Sequence, residues 1–280
     1  MTSSSGPTGR TGPLVMGVLN VTPDSFSDGG LWLDAQRAVA HGRQLVAEGA
    51  DMVDVGGEST RPGADRVSAE VELRRVQPVI AGLVEAGLVV SIDTMRASVA
   101  AAAIEAGAQI VNDVSGGLSD PAMAGLIARR GVRYVVMHWR GHSRDMYQHA
   151  DYRDVVAEVC AELQQRVDAL RQAGVDDAQI VLDPGLGFAK TPEHSWTLLA
   201  HLDSLQRLGF PLLVGTSRKG FLGLLQPTQD GGPCPPKERD VATAATSLVC
   251  AQAGVWAVRV HDVPSTVAAI QVARALQEAG

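Results

Sequence analysis

From residue 14 onward, short runs of apolar, mostly β-branched residues alternate with longer stretches in which apolar residues recur at helical spacing. A short continuous apolar run suits a strand covered on both faces, and the intervening period of 3.6 suits helices that pack one stripe against a sheet. Eight strands are predicted, at 14–21, 52–56, 88–93, 109–114, 133–138, 180–183, 211–216 and 255–261. The clearest helical stripe is Val155, Val156, Val159, Leu163, Val167 and Leu170, which reads as a sheet-covering face rather than a cofactor box. Eight successive βα units predict an α/β fold, a single TIM-type (β/α)8 barrel over residues 14–280. Residues 226–236 are rich in Pro and Gly and read as a mobile loop after the seventh strand.

The polar residues inside this pattern are not scattered. Asn20, Asp93, Asn112, His138, Asp183, Ser217, Arg259 and His261 all fall at or just past the C-terminal ends of predicted strands. In a closed barrel those ends converge on one mouth, which is where such barrels carry their active sites. Any one Asp or Asn there has a simpler reading, since these residues also order the turn after a strand. That reading is a poor account of so many at the same end of successive strands. His41, His142, His149, His194 and His201 show no ligand-like spacing and read as surface residues. The segment 183–190, DPGLGFAK, is a weak nucleotide signal because it lacks the Lys-Ser/Thr ending of a phosphate loop.

Composition narrows the function. With 280 residues, 45% of them hydrophobic, the chain can bury one large core. Its net charge of −7 argues against a nucleic-acid binder, which needs a basic face. Cys160, Cys234 and Cys250 are odd in number and lack CxxC spacing, which points to a reducing compartment without a disulfide framework or zinc site. Residues 1–13 are rich in Ser, Thr, Gly and Pro, with no signal-peptide core, and read as a disordered tail. No run is long and apolar enough for a membrane span, so a cytoplasmic location is expected.

The motifs themselves then carry a resemblance. NVTPDSFSDGG at 20–30, DVGGESTRPG at 54–63, SIDT ending at Thr94, NDVSGG at 112–117, MHWRG at 137–141, DPGLGFAK at 183–190, SRK at 217–219 and RVHD at 259–262 occur in this order. The set spans nearly the whole chain and resembles the bacterial dihydropteroate synthases, with the first two loop motifs the most specific. The resemblance implies a transferase that condenses a dihydropterin methyl diphosphate with 4-aminobenzoate in folate synthesis. It implies a pterin held by Asp93, Asn112, Asp183 and Lys219, of which Asp93, Asp183 and Lys219 would be catalytic. It further implies a diphosphate met by Asn20, Arg259 and His261, with Asn20 binding Mg2+. The 4-aminobenzoate pocket would include Phe26, Thr60, Pro62, Ser217 and the stem of Lys219, and a homodimer is expected. One position departs from the family pattern: Gly220 stands where many members carry a Ser whose hydroxyl can meet the 4-aminobenzoate carboxylate. If a short helix begins there, its backbone N–H groups could still hold that anion.

Three other readings compete. A pterin-dependent methyltransferase should lack the STRPG and SRK pair, and a Schiff-base aldolase needs a strand-borne lysine, whereas Lys219 lies beyond its strand. A non-catalytic pterin-binding paralogue should show damaged motifs, and these are intact.

Asp183 separates a pterin ligand from a mere turn residue. Asp183→Asn keeps the shape and can still support a turn, but it turns an acceptor into a donor. Pterin affinity and turnover should fall together by about thirty-fold to several hundred-fold, the equivalent of about 2–4 kcal/mol, with little change in melting temperature. Parent-like binding and turnover would reduce Asp183 to a turn residue.

Overall fold

A computed structural model describes residues 12–22, 31–58, 67–141 and 149–279. The apolar runs become strands β1 (Leu14–Asn20), β2 (Met52–Gly56), β3 (Val90–Asp93), β4 (Ile110–Asp113), β5 (Arg133–Met137), β6 (Ile180–Asp183), β7 (Leu213–Val214) and β8 (Ala257–Val260). All pair in parallel, in the order β6-β5-β4-β3-β2-β1-β8-β7. The two ends of this sheet meet through one parallel bridge, Leu182 to Leu212, where the Leu182 amide donates to the Pro211 carbonyl at 2.9 Å. The result is a nearly closed eight-stranded barrel. Most strands are shorter than the apolar runs suggested, because ladder pairing stops where each run bends into its loop.

The helices are α1 (Leu31–Ala47), α2 (Ala69–Glu85), α3 (Ala97–Glu105), α4 (Ala122–Arg130), α5 (Val155–Gln172), α6 (Pro192–Ala200), α7 (Leu202–Gln206), α8 (Gly220–Gly223), α9 (Asp240–Gln252) and α10 (Val263–Ala279). Val155, Val159, Leu163, Val167 and Leu170 of α5 are buried, as a sheet-covering stripe requires. They join a large apolar shell between the barrel's outer face and its helices. Residues 226–236 fold back on α8 through a Cys234 amide bond to the Gly223 carbonyl at 3.1 Å, and Cys234 is buried.

Inside the barrel a second, smaller cluster forms from Met16, Met52, Ile110, Val135, Val181, Leu213 and Ala257. This is an apolar plug toward the strands' N-terminal ends. Because side chains alternate along a strand, the residues two positions further on face inward as well. On four of these strands they are Asp54, Asn112, Asp183 and Arg259. The pleat therefore stacks a polar layer directly on an apolar one, and the polar layer forms the floor of the mouth.

Candidate active site

One rung of the sheet sets the first group. Register pairs Asn20 with Gly56, Gly56 with Asp93, and Asp93 with Asn112, so these four residues lie side by side across β1 to β4. Gly56 leaves the gap between its neighbours open: a Cβ there would lie 3.6 Å from Asn20 Oδ1 and 3.7 Å from Asp93 Cβ. From β8, on the other side of β1, Arg259 Nε donates to Asp54 Oδ2 at 2.6 Å and its Nη2 to Asp93 Oδ2 at 2.8 Å. Asp54 Oδ2 also accepts from Asn112 Nδ2 at 2.9 Å. A carboxylate only accepts, so the Asn112 amide must turn its nitrogen to Asp54 and its oxygen elsewhere. Burial pushes the Asp93 carboxyl up, the Arg259 guanidinium pulls it back, and the Asp54 charge adds to the rise.

Asp54 is not among the residues that the sequence singles out, yet it is fully buried and holds both Arg259 and Asn112. The available signal is a charge in the middle of an apolar run, MVDVG, where a buried carboxylate is costly unless paired.

The second group lies at the end of β6 and on the loops after β6 and β7. Asp183 Oδ1 accepts from the Gly185 amide at 2.7 Å, so one of its oxygens does order the turn, and Oδ2 has no hydrogen bond among the described residues. Gly185 is required there: its φ is +64°, and a Cβ would collide with the His138 carbonyl. Lys219 donates to the Leu186 carbonyl, and its Nζ lies 4.8 Å from the centre of the Phe188 ring. Burial lowers the Lys219 amine to about 8, against the opposing pull of Asp183.

Between Ser217 and Lys219, Arg218 adopts a left-handed φ of +59°, unusual for a residue with a Cβ. Its guanidinium grips Asp240 with two bonds of 2.8 Å, and its carbonyl accepts from Arg239 Nη1 at 2.7 Å. This clamp fixes the turn that presents Ser217 and Lys219 to the mouth. Ser217 Oγ accepts the His261 amide at 3.1 Å and lies 2.9 Å from His261 Nδ1.

The described residues among the expected ones, Asn20, Asp93, Asn112, Asp183, Ser217, Lys219, Arg259 and His261, are thus brought to one end of the barrel. His138 is the exception among the strand-end polar residues, because its ring bonds to Glu162 on α5, on the outer side of the barrel. Phe26, Thr60 and Pro62 lie outside the described residues, as do residues 1–11 of the expected tail. The described residues on either side of 59–66 are tied by Arg96, which donates to the Glu58 carboxylate, the buried Glu72 carboxylate and, at 2.6 Å, the Val67 carbonyl. Among the described residues no group of three or more His, Cys, Asp or Glu could hold a metal ion. Asn20 offers one neutral oxygen at the mouth, a donor that would suit a Mg2+ only with most of its oxygens supplied by a bound ligand and water.

Residues 16–261 match the family described as pterin binding enzyme. Among curated relatives, the dihydropteroate synthase of Mycobacterium leprae is 56% identical over 267 residues, covering 95% of this chain and 94% of that protein. A dihydropteroate synthase from Xanthomonas albilineans in complex with 7,8-dihydropteroate superposes with a TM-score of 0.83 at 42% identity, covering 95% of this chain and 94% of the other. That of Yersinia pestis in a sulfonamide drug complex gives 0.87 at 37% identity, covering 95% of each.

The electrostatics of the mouth are directly measurable. An NMR titration of the Lys219 side chain should give a pKa near 8 rather than the ordinary 10.5. Asp183→Asn should lower it further, because it removes the carboxylate that opposes burial. An unchanged or raised value in the variant would separate Lys219 electrostatically from Asp183.

Proposed function

Since the chain belongs to the dihydropteroate synthases, a family of pterin-binding enzymes, we propose that its barrel mouth divides into a pterin floor, a diphosphate rim and a 4-aminobenzoate wall. The enzyme is a transferase of folate synthesis that joins (7,8-dihydropterin-6-yl)methyl diphosphate to 4-aminobenzoate, giving 7,8-dihydropteroate and diphosphate.

The observation that carries the site assignment is the pairing of acceptors with one lysine on a single floor. Asp93, the unbonded Asp183 Oδ2 and the turned-out Asn112 oxygen offer acceptors to the amino edge of a pterin, and Lys219 offers a donor to its carbonyl. Arg259 and His261 meet the diphosphate, Arg259 with its direction already set by Asp54 and Asp93, and His261 from beside Ser217. Ser217 and the Lys219 stem line the 4-aminobenzoate pocket with Phe26, Thr60 and Pro62.

In the reaction the bond between the pterin methylene carbon and the diphosphate oxygen breaks, and its electron pair leaves with diphosphate. The Asp93 and Asp183 carboxylates stabilise the pterin cation, while Arg259 and His261 stabilise the departing anion. A Mg2+ at Asn20 would neutralise further charge on the diphosphate. The aniline lone pair then forms the C–N bond, and the nitrogen loses a proton. These residues orient and charge-match the reactants without forming a covalent intermediate. The catalytic residues are retained at the mouth, so no feature favours a non-catalytic paralogue.

A homodimer is the proposed assembly. Val241 (81% exposed) and Val249 on α9, with Val272 and Leu276 on α10, leave large apolar side chains at the surface of two helices that pack together. Cytoplasmic residence is proposed because all three cysteines are unpaired and no described helix is long and apolar enough to cross a membrane.

The purified chain with both substrates and Mg2+ should yield dihydropteroate by mass spectrometry, and the same preparation should sediment at twice the chain mass. Folded protein without product would refute the reading. Gly220→Ser probes the 4-aminobenzoate wall. Gly220 opens α8, has an ordinary φ, and would place a Cβ with no other atom within 4 Å. The added hydroxyl should therefore leave the fold intact and lower the 4-aminobenzoate KM by about two- to ten-fold, the worth of one hydrogen bond. An unchanged KM would place the carboxylate elsewhere.

A further inference from the structure

Lys190 ends the 183–190 loop and is 2% exposed, among the largest fully buried side chains of the protein. An amine in such a place is costly unless its donors are met. Its Nζ lies 2.9 Å from His138 Nδ1 and donates to the Phe188 carbonyl at 3.1 Å. The other nitrogen of the buried His138 ring lies 2.9 Å from Glu162 Oε2, and Glu162 also accepts from Arg140 Nε at 3.1 and 3.2 Å. Lys190 donates to Nδ1, so the imidazole proton sits on Nε2 and points at the Glu162 carboxylate. Burial holds the His138 ring neutral, down to about 4, which suits this arrangement. A column of hydrogen bonds thus runs from the half-exposed Glu162 inward to Lys190.

The inner end of the column grips the loop that holds Lys219. Phe188, whose carbonyl Lys190 binds, lays its ring 4.8 Å from the Lys219 ammonium, and Leu186 of the same loop accepts that ammonium's hydrogen bond. Between Phe188 and Lys190, Ala189 sits at a left-handed φ of +47°, a conformation a non-glycine keeps only when its surroundings impose it. An apolar residue in place of Lys190 would fill the space but would release the Phe188 carbonyl.

We propose that Lys190, anchored by His138 and Glu162, is a positioning residue that fixes Phe188 and through it the Lys219 ammonium in the pterin site. This rests on the assignment of Lys219 to the pterin. In the full chain, Lys190→Met keeps the aliphatic stem and removes the donors. The KM for the pterin diphosphate should rise about ten-fold, the scale of losing one orienting hydrogen-bonded partner. The KM for 4-aminobenzoate should rise less, because Lys219 offers that substrate only its stem and no bond of the column reaches Ser217. Glu162→Leu, at the half-exposed end, should shift the pterin KM in the same direction, and Glu162→Gln, which retains an acceptor for His138, should restore most of it. A purely structural role would instead lower the folded fraction and leave both KM values alone. Unchanged pterin KM in Glu162→Leu, or a larger rise for 4-aminobenzoate than for the pterin, overturns the proposal, and Glu162→Leu decides it should Lys190→Met fail to fold. Lys219→Met, measured in parallel, separates the two assignments. If it raises the pterin KM while Lys190→Met and Glu162→Leu do not, only the role of Lys190 falls; if it does not, the assignment of Lys219 falls with it.

Discussion

One half-buried cation, Arg259, organises the mouth of this barrel. Arg259 stands two residues above Ala257, the last member of the apolar plug on β8, and reaches past β1 to Asp54 on β2 and Asp93 on β3. A guanidinium taken out of water at this depth would cost several kcal/mol if left unpaired. Its two carboxylates would fare no better without it. Asp54 spends its shared oxygen on Asn112 as well, so the same ion pair that satisfies Arg259 also decides which way an amide on β4 faces. Among the described strands, β8 is hydrogen-bonded only to β1 and β7. The Arg259 network is therefore a second set of ties, across the interior, among strands that are not all neighbours in the sheet.

The opposite side of the mouth is held differently. There the strands are short, β7 having two residues and closing on β6 by one bridge, and precision comes from loops under constraint. Arg218 and Ala189 both sit at left-handed φ, and each flanks a side chain of the site or its supports. Such backbone conformations cost of order 1–3 kcal/mol and persist where the surroundings over-determine them. Asp240 and Arg239 do so for Arg218, and the bonds of Lys190 do so around Ala189. The floor on β2 to β4 and β8 is thus built by charge pairing on rigid strands, whereas Lys219 and Ser217 are delivered by clamped turns.

How much is legible in the chain differs by residue. Asp93, Asn112 and Arg259 can be placed at the mouth because each ends or nearly ends an apolar run, and strand ends converge in a barrel. Asp183 is harder, since its turn-ordering and ligand-binding readings predict the same sequence; the structure gives one oxygen to the turn and leaves the other without a hydrogen bond among the described residues. Asp54 escapes because a mid-strand charge says only that a partner must exist, and that partner, Arg259, lies 205 residues away. His138 looks like a mouth residue by position, but the pleat turns alternate residues outward, and a strand end uncertain by one residue reverses the face. Lys190 reads as the tail of a glycine-rich loop, with nothing local to say that it is buried.

The sequence by itself determined the barrel, because eight apolar runs at βα spacing can cover both sheet faces in few other ways, and its motifs determined the chemistry expected at the strand ends. Only the tertiary structure decided which polar groups pair, which oxygen of Asp183 the turn holds, and that Lys190 and His138 are buried against one another. Periodicity is a local property, set by how each residue meets its own strand or helix. Hydrogen-bond partnership and burial depend on residues brought together from distant parts of the chain, and no spacing along it records them.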